Sequence, residues 1–258
     1  MRSSLLDQTR AQAAGAGLNL FGLVDRARFD AGEPRERRLG TSTPRCGTVL
    51  VLGTGGRWLA QQRDRWQRET GQANELPVAT TVLAGVHHTV ALLRAHGVAC
   101  SVLAFDGRCL VRPERLGEAA GFGIVSPVSG LLLHPEFGPW LRVRAAILCD
   151  GMPFGPVAEA SIADRFHPCC GCPQPCVSAC PATVHDGFGH HDLTRCCGHR
   201  RGGGCASACE SRAACPLGSE HRDEEAAGHR HTHELAVMQR WFGFGVWRFV
   251  PKVLRGGP

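Results

Sequence analysis

Cysteine is the residue type that most clearly carries chemistry in this sequence. Ten of the fourteen cysteines lie between residues 169 and 215, in two groups. The first group reads CCGCPQPCVSACP (169–181) and the second reads CCGHRRGGGCASACESRAACP (196–216), so each ends in a Cys-Pro pair. Closely spaced cysteines that end in Cys-Pro are typical of ligands to a [4Fe–4S] cluster. Zinc ligands more often come as C-x2-C pairs separated by about a dozen or more residues, so the spacing favours iron–sulfur over zinc.

The motifs also predict how the cysteines are shared between two sites. In two-cluster ferredoxins the last cysteine of each motif binds the other cluster. The predicted ligands of the first cluster are therefore Cys169, Cys172, Cys176 and Cys215, and those of the second are Cys180, Cys196, Cys205 and Cys209. Spacing alone does not decide between Cys169 and Cys170, or between Cys196 and Cys197.

The residues before these cysteines show alternating helical and strand periodicity. Helices are predicted at 3–15, 57–70, 80–97 and 113–121. Strands are predicted at 17–25, 46–56, 98–105, 131–134 and 141–150. This alternation predicts an α/β domain over residues 1–165, which would be the part that binds any further cofactor. A small ferredoxin-type domain over 166–220 and a C-terminal tail with an aromatic helix over 221–258 would follow.

Charge and hydropathy indicate which partners and which location to expect for the protein. The net charge is +6, which is mild for this length and gives no strong signal for nucleic-acid binding. The sequence has no long apolar run of the kind that spans a membrane, and its N-terminus lacks the apolar core of a signal peptide. We therefore expect a cytoplasmic protein, because thiols stay reduced in the cytosol.

The pair of cysteine motifs resembles the ferredoxin-type domain of epoxyqueuosine reductases and corrinoid-dependent reductive dehalogenases. The segment AAGFGIVSPVSGLLLHPEFGPWLRVRAAILCDGMPFG (119–155) is similar to the glycine turn and strands before the cysteines of those enzymes, and AGAGLNLFGLVD (14–25) is similar to their N-terminal segment. Ser126-Pro127 stands where they have a Gly-Lys turn. The resemblance covers most of 5–218. It implies an α/β, nitroreductase-like N-terminal domain built as an α+β sandwich, followed by a small ferredoxin-like cysteine-rich domain.

The resemblance also implies a second cofactor, since the N-terminal domain of those enzymes holds a cobalamin. The glycines placed nearest a flat macrocycle are Gly121, Gly123, Gly130 and Gly138; the alternative is that they are ordinary turn glycines. Asp106 is the nearest candidate for the catalytic acid of the tRNA-acting relatives. The tyrosine that dehalogenases often use as proton donor has no counterpart, because the sequence contains no tyrosine.

These observations lead to three functional hypotheses. The first is an iron–sulfur protein that carries single electrons through two [4Fe–4S] clusters between a redox donor and an acceptor. The second is an oxidoreductase whose corrinoid or flavin lies in the N-terminal domain. The third is a zinc-binding structural or interaction protein.

Overall fold

The computed structural model describes residues 4–41, 43–71, 78–103, 105, 111–158, 162, 165–188, 191–205 and 208–222. Its α-helices are α1 (Leu5–Gly15), α2 (Arg26–Ala31), α3 (Trp58–Thr70), α4 (Val78–Ala95), α5 (Pro113–Ala119), α6 (Pro175–Ser178), α7 (Leu193–Arg201) and α8 (Glu210–Ala213). Its strands are β1 (Leu20–Asp25), β2 (Cys46–Gly55), β3 (Cys100–Leu103), β4 (Ile124–Val125), β5 (Leu132–Leu133) and β6 (Leu141–Asp150). These elements form two compact units, one from residues up to 122 together with 141–162, the other from 123–140 and 165–222.

The first unit is built on a four-stranded sheet. The strand order is β1-β2-β6-β3, and every neighbouring pair is antiparallel. The central run Val49–Leu52 of β2 is fully buried, as expected of a strand that is covered on both faces. Alternation of helices and strands predicted an α/β domain here, but the antiparallel pairing of all neighbouring strands places the unit in the α+β class, which the resemblance also implied. Alternation along the sequence does not by itself determine the direction in which strands pair.

A core of aliphatic side chains joins this sheet to two helices. Leu50, Leu52 and Ile147 pack with Val90 and Leu93 of α4 in one buried cluster, which also takes in residues of α1. Helix α1 begins at a capping box, in which the Ser4 hydroxyl accepts from the Asp7 backbone and the Asp7 carboxylate accepts from the Ser4 backbone. The predicted helices and strands of residues 3–150 are confirmed to within a few residues at their ends.

The second unit contains little regular structure and ten of the cysteines. Strands β4 and β5 form a two-stranded ladder, and the three helices α6, α7 and α8 are short. Helices α6 and α8 pack against each other. A ferredoxin-like fold for this unit remains a prediction. The structure describes the chain only up to residue 222, so the aromatic helix predicted within 221–258 lies outside the described residues. No helix in the described part of the chain has the length and hydropathy needed to cross a membrane.

Candidate functional site

Four cysteines from two separate segments of the second unit line one cavity of about 40 Å³. Cys169 and Cys172 come from a loop and Cys176 from α6, the short helix that follows this loop, whereas Cys215 comes from the stretch that follows α8. Much of the remaining wall is apolar, with Leu133 among its residues. The cavity thus presents four sulfur atoms within a surface that offers water few partners.

Local backbone geometry explains why the loop turns its cysteines inward. Gly171 has φ +73° and Gln174 has φ 55°, so the chain turns at two residues with left-handed backbone conformation between Cys169 and α6. The Cys172 amide donates to the Cys169 carbonyl at 3.3 Å, which closes the first of these turns. Pro175 then begins α6, a helical position that suits proline because its missing N–H would have no partner there.

The four thiols of this cavity interact electrostatically. Burial raises the pKa of Cys176, and the neighbouring Cys215, Cys169 and Cys172 raise it further. Burial also raises the pKa of Cys215, against a backbone hydrogen bond from Leu217 that lowers it, and Cys169 and Cys172 add to the rise. Several thiolates can therefore exist here together only if a cation compensates their charge.

A second set of four cysteines lies together in the same unit. Burial raises the pKa of Cys196 to about 11, and the thiols of Cys209, Cys180 and Cys205 add to the effect. The pKa of Cys205 is likewise raised by burial first, with Cys209 and Cys180 among the further causes. These two pKa shifts place the thiol of Cys196 near those of Cys180, Cys205 and Cys209, and the thiol of Cys205 near those of Cys180 and Cys209.

A buried arginine lies beside this second set. Arg200 is only 6% exposed, and burial lowers its pKa. The thiols of Cys196, Cys209 and Cys205 act in the opposite direction and raise it. A guanidinium keeps its charge at all ordinary pH values, so Arg200 supplies a fixed positive charge next to these sulfur atoms.

The cysteines on either side of the one-turn helices α6 and α8 belong to different sets. Cys176 lies in α6 and belongs to the first set, whereas Cys180 follows α6 and belongs to the second. Cys209 precedes α8 and belongs to the second set, whereas Cys215 follows α8 and belongs to the first. Each helix, together with the residues beside it, therefore contributes one cysteine to each set.

Spacing left open which member of each pair of adjacent cysteines is a ligand, and the structure distinguishes the two members of each pair. Cys169 lines the cavity, whereas Cys170 is exposed. Asp192 caps α7 by accepting from the Arg195 amide, so Cys196 falls in the first turn of that helix. Successive residues of a helix point about 100° apart, and Cys197 is buried in a direction different from that of Cys196. The geometry brings Cys169 and Cys196 to the two sets.

Among the described residues, no three His, Cys, Asp or Glu side chains converge closely enough to hold a single metal ion. A structural zinc ion needs such convergence, because all four ligands bind one atom at about 2.3 Å for sulfur. A four-iron cluster does not, because each thiolate binds a different iron atom. The four thiols around the first cavity are the type of donor that such a cluster takes.

The segment that carries Cys215 is held by the loop of residues 134–140. The His134 and Phe137 rings stack with centroids 4.4 Å apart, and His221 meets the edge of Phe137 at 5.0 Å. Gly218 packs on the Phe137 backbone, which leaves no room for a side chain at 218. These contacts fix the chain on the C-terminal side of Cys215.

The glycines expected near a macrocycle have other neighbours. Gly123, Gly130 and Gly138 have positive φ, and the space of a Cβ atom at each is already filled by Leu133, His191 and Leu217 respectively. Gly121 also has positive φ, as expected of the turn that ends α5. All four glycines have the positive φ of turn residues, and their proximity to a macrocycle stays a prediction. Asp106 lies outside the described residues.

A chain of hydrogen bonds connects helix α8 to His185 and His191. The Nδ1 atoms of His185 and His191 are 2.9 Å apart, and the Ser211 hydroxyl is 2.9 Å from His185 Nε2. Ser211 is buried within α8, between the segments that carry Cys209 and Cys215. The sequence motifs gave no sign of this link, because it depends on which loops meet.

The remaining cysteines of the described chain belong to the sheet of the first unit. Cys46, Cys100 and Cys149 lie on β2, β3 and β6, with Cys100 directly opposite Cys149. Burial raises the pKa of Cys149 to about 12 and that of Cys46 to about 11. Both thiols stay protonated and act as core residues.

No protein-family model and no curated protein matches the sequence. Solved structures do match its fold. The epoxyqueuosine reductase of Streptococcus thermophilus superposes with a TM-score of 0.58 at 13% identity, over 97% of this chain and 78% of that one. An epoxyqueuosine reductase in complex with an epoxyqueuosine-modified tRNA-Tyr stem loop gives 0.56 at 15% identity, over 86% of this chain and 70% of that one.

A reductive dehalogenase for which a B12-dependent mechanism was suggested gives a TM-score of 0.55 at 15% identity. The match covers 96% of this chain and 37% of the dehalogenase. The chain shares the fold of these two groups of reductases. It spans most of the epoxyqueuosine reductases and little more than a third of the dehalogenase, so the shared part of the reductase fold is the sheet unit together with the cysteine-rich unit.

Proposed function

We propose that this chain is an iron–sulfur protein that passes single electrons through two [4Fe–4S] clusters. Cys169, Cys172, Cys176 and Cys215 would bind the first cluster, and Cys180, Cys196, Cys205 and Cys209 the second. The observation that carries the proposal is that Cys180, the last cysteine of the first motif, lies with the second set, whereas Cys215, the last cysteine of the second motif, lies with the first set. In two-cluster ferredoxins the last cysteine of each motif likewise serves the other cluster.

The surroundings of both sets support this proposal. The apolar wall of the first cavity and the buried Arg200 beside the second set control solvent access and local charge, which are two of the properties that set a cluster's reduction potential. A cluster exchanges one electron at a time, so the proposal requires a redox donor and an acceptor, in a compartment such as the cytosol that keeps thiols reduced.

Metal and acid-labile sulfide analysis of anaerobically purified protein tests the proposal. We expect about eight irons and about eight sulfides per chain, together with a visible absorption band that bleaches on reduction. One or two zinc ions without sulfide would overturn it and leave the cysteines as a structural zinc site.

A second candidate is an oxidoreductase with a corrinoid or a flavin in the first unit. The observation in its favour is the fold shared with epoxyqueuosine reductases and a dehalogenase. Cobalt or flavin that stays with the protein during purification would place this candidate above the simple electron carrier.

A further inference from the structure

One serine side chain reaches a sulfur atom of the first set. Ser126 Oγ lies 3.3 Å from Cys169 Sγ, within hydrogen-bond range for sulfur. Ser126 directly follows β4 and is only 2% exposed. It lines the same cavity as the four cysteines.

The neighbouring backbone determines which way the Ser126 proton points. A hydroxyl group has one proton to donate and two lone pairs that accept. The Val128 and Ser129 amides both donate to Ser126 Oγ, at 3.1 Å and 3.0 Å. Because these two donors occupy the accepting side of the oxygen, the Ser126 proton is left to donate to Cys169 Sγ.

The turn around Ser126 keeps this arrangement fixed. The Ser126 amide donates to the Leu131 carbonyl at 2.8 Å, and the Gly130 amide donates to the Ser126 carbonyl at 2.9 Å. Both main-chain groups and both lone pairs of the side chain are thus held by the residues between β4 and β5. The hydroxyl is therefore held in place for the sulfur by its own turn.

We propose that Ser126 is a positioning residue that sets the reduction potential of the first cluster through the sulfur of Cys169. This inference rests on the proposed function. The added electron of a reduced cluster increases the negative charge on its sulfur ligands. A hydrogen-bond donor at one of those sulfurs stabilises the reduced state more than the oxidised state. Ser126 therefore raises the potential of the first cluster, and the second cluster is unaffected.

The test is a redox titration, monitored by electron paramagnetic resonance, of wild-type protein and three variants. Ser126→Ala removes the donor, and Ser126→Thr keeps a hydroxyl on the same carbon. Ser129→Ala is the matched control, because Ser129 lines the same cavity and its side chain makes no hydrogen bond to a cysteine among the described residues. The potential of the first site is identified as the one that disappears in Cys169→Ala.

We expect Ser126→Ala to make the first potential more negative while the second stays unchanged. Ser126→Thr should return the first potential toward the wild-type value, and Ser129→Ala should leave both potentials in place. Full loading of both clusters with unchanged potentials in Ser126→Ala would overturn the inference alone. A wild-type protein without iron or sulfide would overturn both this inference and the proposed function.

A second measurement covers the case in which Ser126→Ala does not load its first cluster. Hyperfine spectra of the reduced wild-type protein before and after brief exposure to D2O should show one rapidly exchanged proton coupled to the first cluster. A hydroxyl proton exchanges at once, whereas buried backbone amides exchange slowly. If no such proton is found, the Ser126 hydroxyl does not donate to the cluster ligand.

Discussion

Gly138 packs directly against the backbone of Leu217. A Cβ atom at position 138 would overlap the Leu217 carbonyl group, and Gly138 itself has φ +54°, in the left-handed region. Leu217 lies two residues after Cys215, at the wall of the first cavity. The loop of residues 134–140 can therefore hold the segment that carries Cys215 only while residue 138 has no side chain.

Substitution of Gly138 by alanine tests this contact. Alanine at 138 must take a strained backbone conformation and also displace Leu217, so we expect Gly138→Ala to lower the free energy of unfolding by about 3 kcal/mol or more. Because the displaced segment carries Cys215, the variant should also retain fewer irons than wild type. Urea denaturation and iron analysis under anaerobic conditions measure the two effects.

Gly155→Ala is the matched control for Gly138→Ala. Gly155 has φ +78°, but a Cβ atom there would meet no atom within 4 Å. It should therefore cost only the backbone strain of about 1 to 2 kcal/mol and leave the iron content unchanged. Equal effects of the two substitutions would show that the contact with Leu217 contributes nothing.

Paired cysteine substitutions test how the ligands are shared. We expect the double variant Cys169→Ala with Cys215→Ala to lose one cluster and to keep about four irons, because both residues serve the first site. The double variant Cys169→Ala with Cys180→Ala should lose both clusters. If each motif served a single cluster, these two results would be reversed. Cys170→Ala should keep about eight irons, because Cys170 is exposed beside the cavity.

Replacement of Arg200 tests the fixed positive charge at the second site. We expect Arg200→Met to make the potential of the second cluster more negative and to speed the loss of its iron to a chelator severalfold. The physical reason is that the charge of its buried sulfur ligands would no longer be compensated by the guanidinium. Redox titration and chelator kinetics measure these effects.

Arg201→Met serves as the control for Arg200→Met. Arg201 is the next residue of α7 and is exposed, so its charge is screened by water. A shift of the same size in both variants would mean that the general loss of positive charge, and not the buried position of Arg200, is responsible.

Protonation of His134 should destabilise the loop of residues 134–140. Burial lowers the pKa of His134, Glu136 raises it and His221 lowers it. Its Nδ1 atom also accepts from the Glu136 and Phe137 amides, at 3.0 Å and 3.2 Å, which a protonated ring cannot do. Since the pKa is lower in the folded state, the unfolded chain takes up the proton first. Stability is therefore lost as the pH falls below the ordinary histidine pKa of about 6.5.

Urea denaturation between about pH 7.5 and pH 5.5 measures this loss, with His134→Asn for comparison. The asparagine carbonyl keeps an acceptor near the same two amides but takes up no proton in this range. We expect the stability of wild-type protein to fall more steeply with decreasing pH than that of the variant. Parallel curves would assign the pH dependence to other groups.

The sequence was sufficient to predict the elements of the first unit, and it also supplied a prediction for the grouping of eight cysteines. The elements followed from strong periodicity, as in the buried run of β2 and the amphipathic α4. The grouping followed from motifs in which ligand spacing is tightly constrained by the size of a cluster. Where two cysteines are adjacent, only the structure separates them, since the choice between Cys169 and Cys170 depends on the direction in which a loop turns.

The residues that surround the cysteines could not be predicted in this way. Ser126 was visible in the sequence only as a departure from a Gly-Lys turn, and its contact with Cys169 joins positions that are far apart in the chain. Arg200 is one of many arginines, and only its burial distinguishes it. The glycines at 123, 130 and 138 were predicted either as neighbours of a macrocycle or as turn residues, and the parts of the same unit against which they pack could not be predicted from their spacing.

The two one-turn helices α6 and α8 set the distance that an electron would have to cross inside this protein. Cys176 and Cys180 are separated by about one helical turn, which corresponds to a rise of about 6 Å. Since α6 packs on α8, and α8 likewise has one cysteine of each set at its two ends, this separation is fixed at two points. Transfer between the two centres would then be a tunnelling step whose length is set by these two short helices.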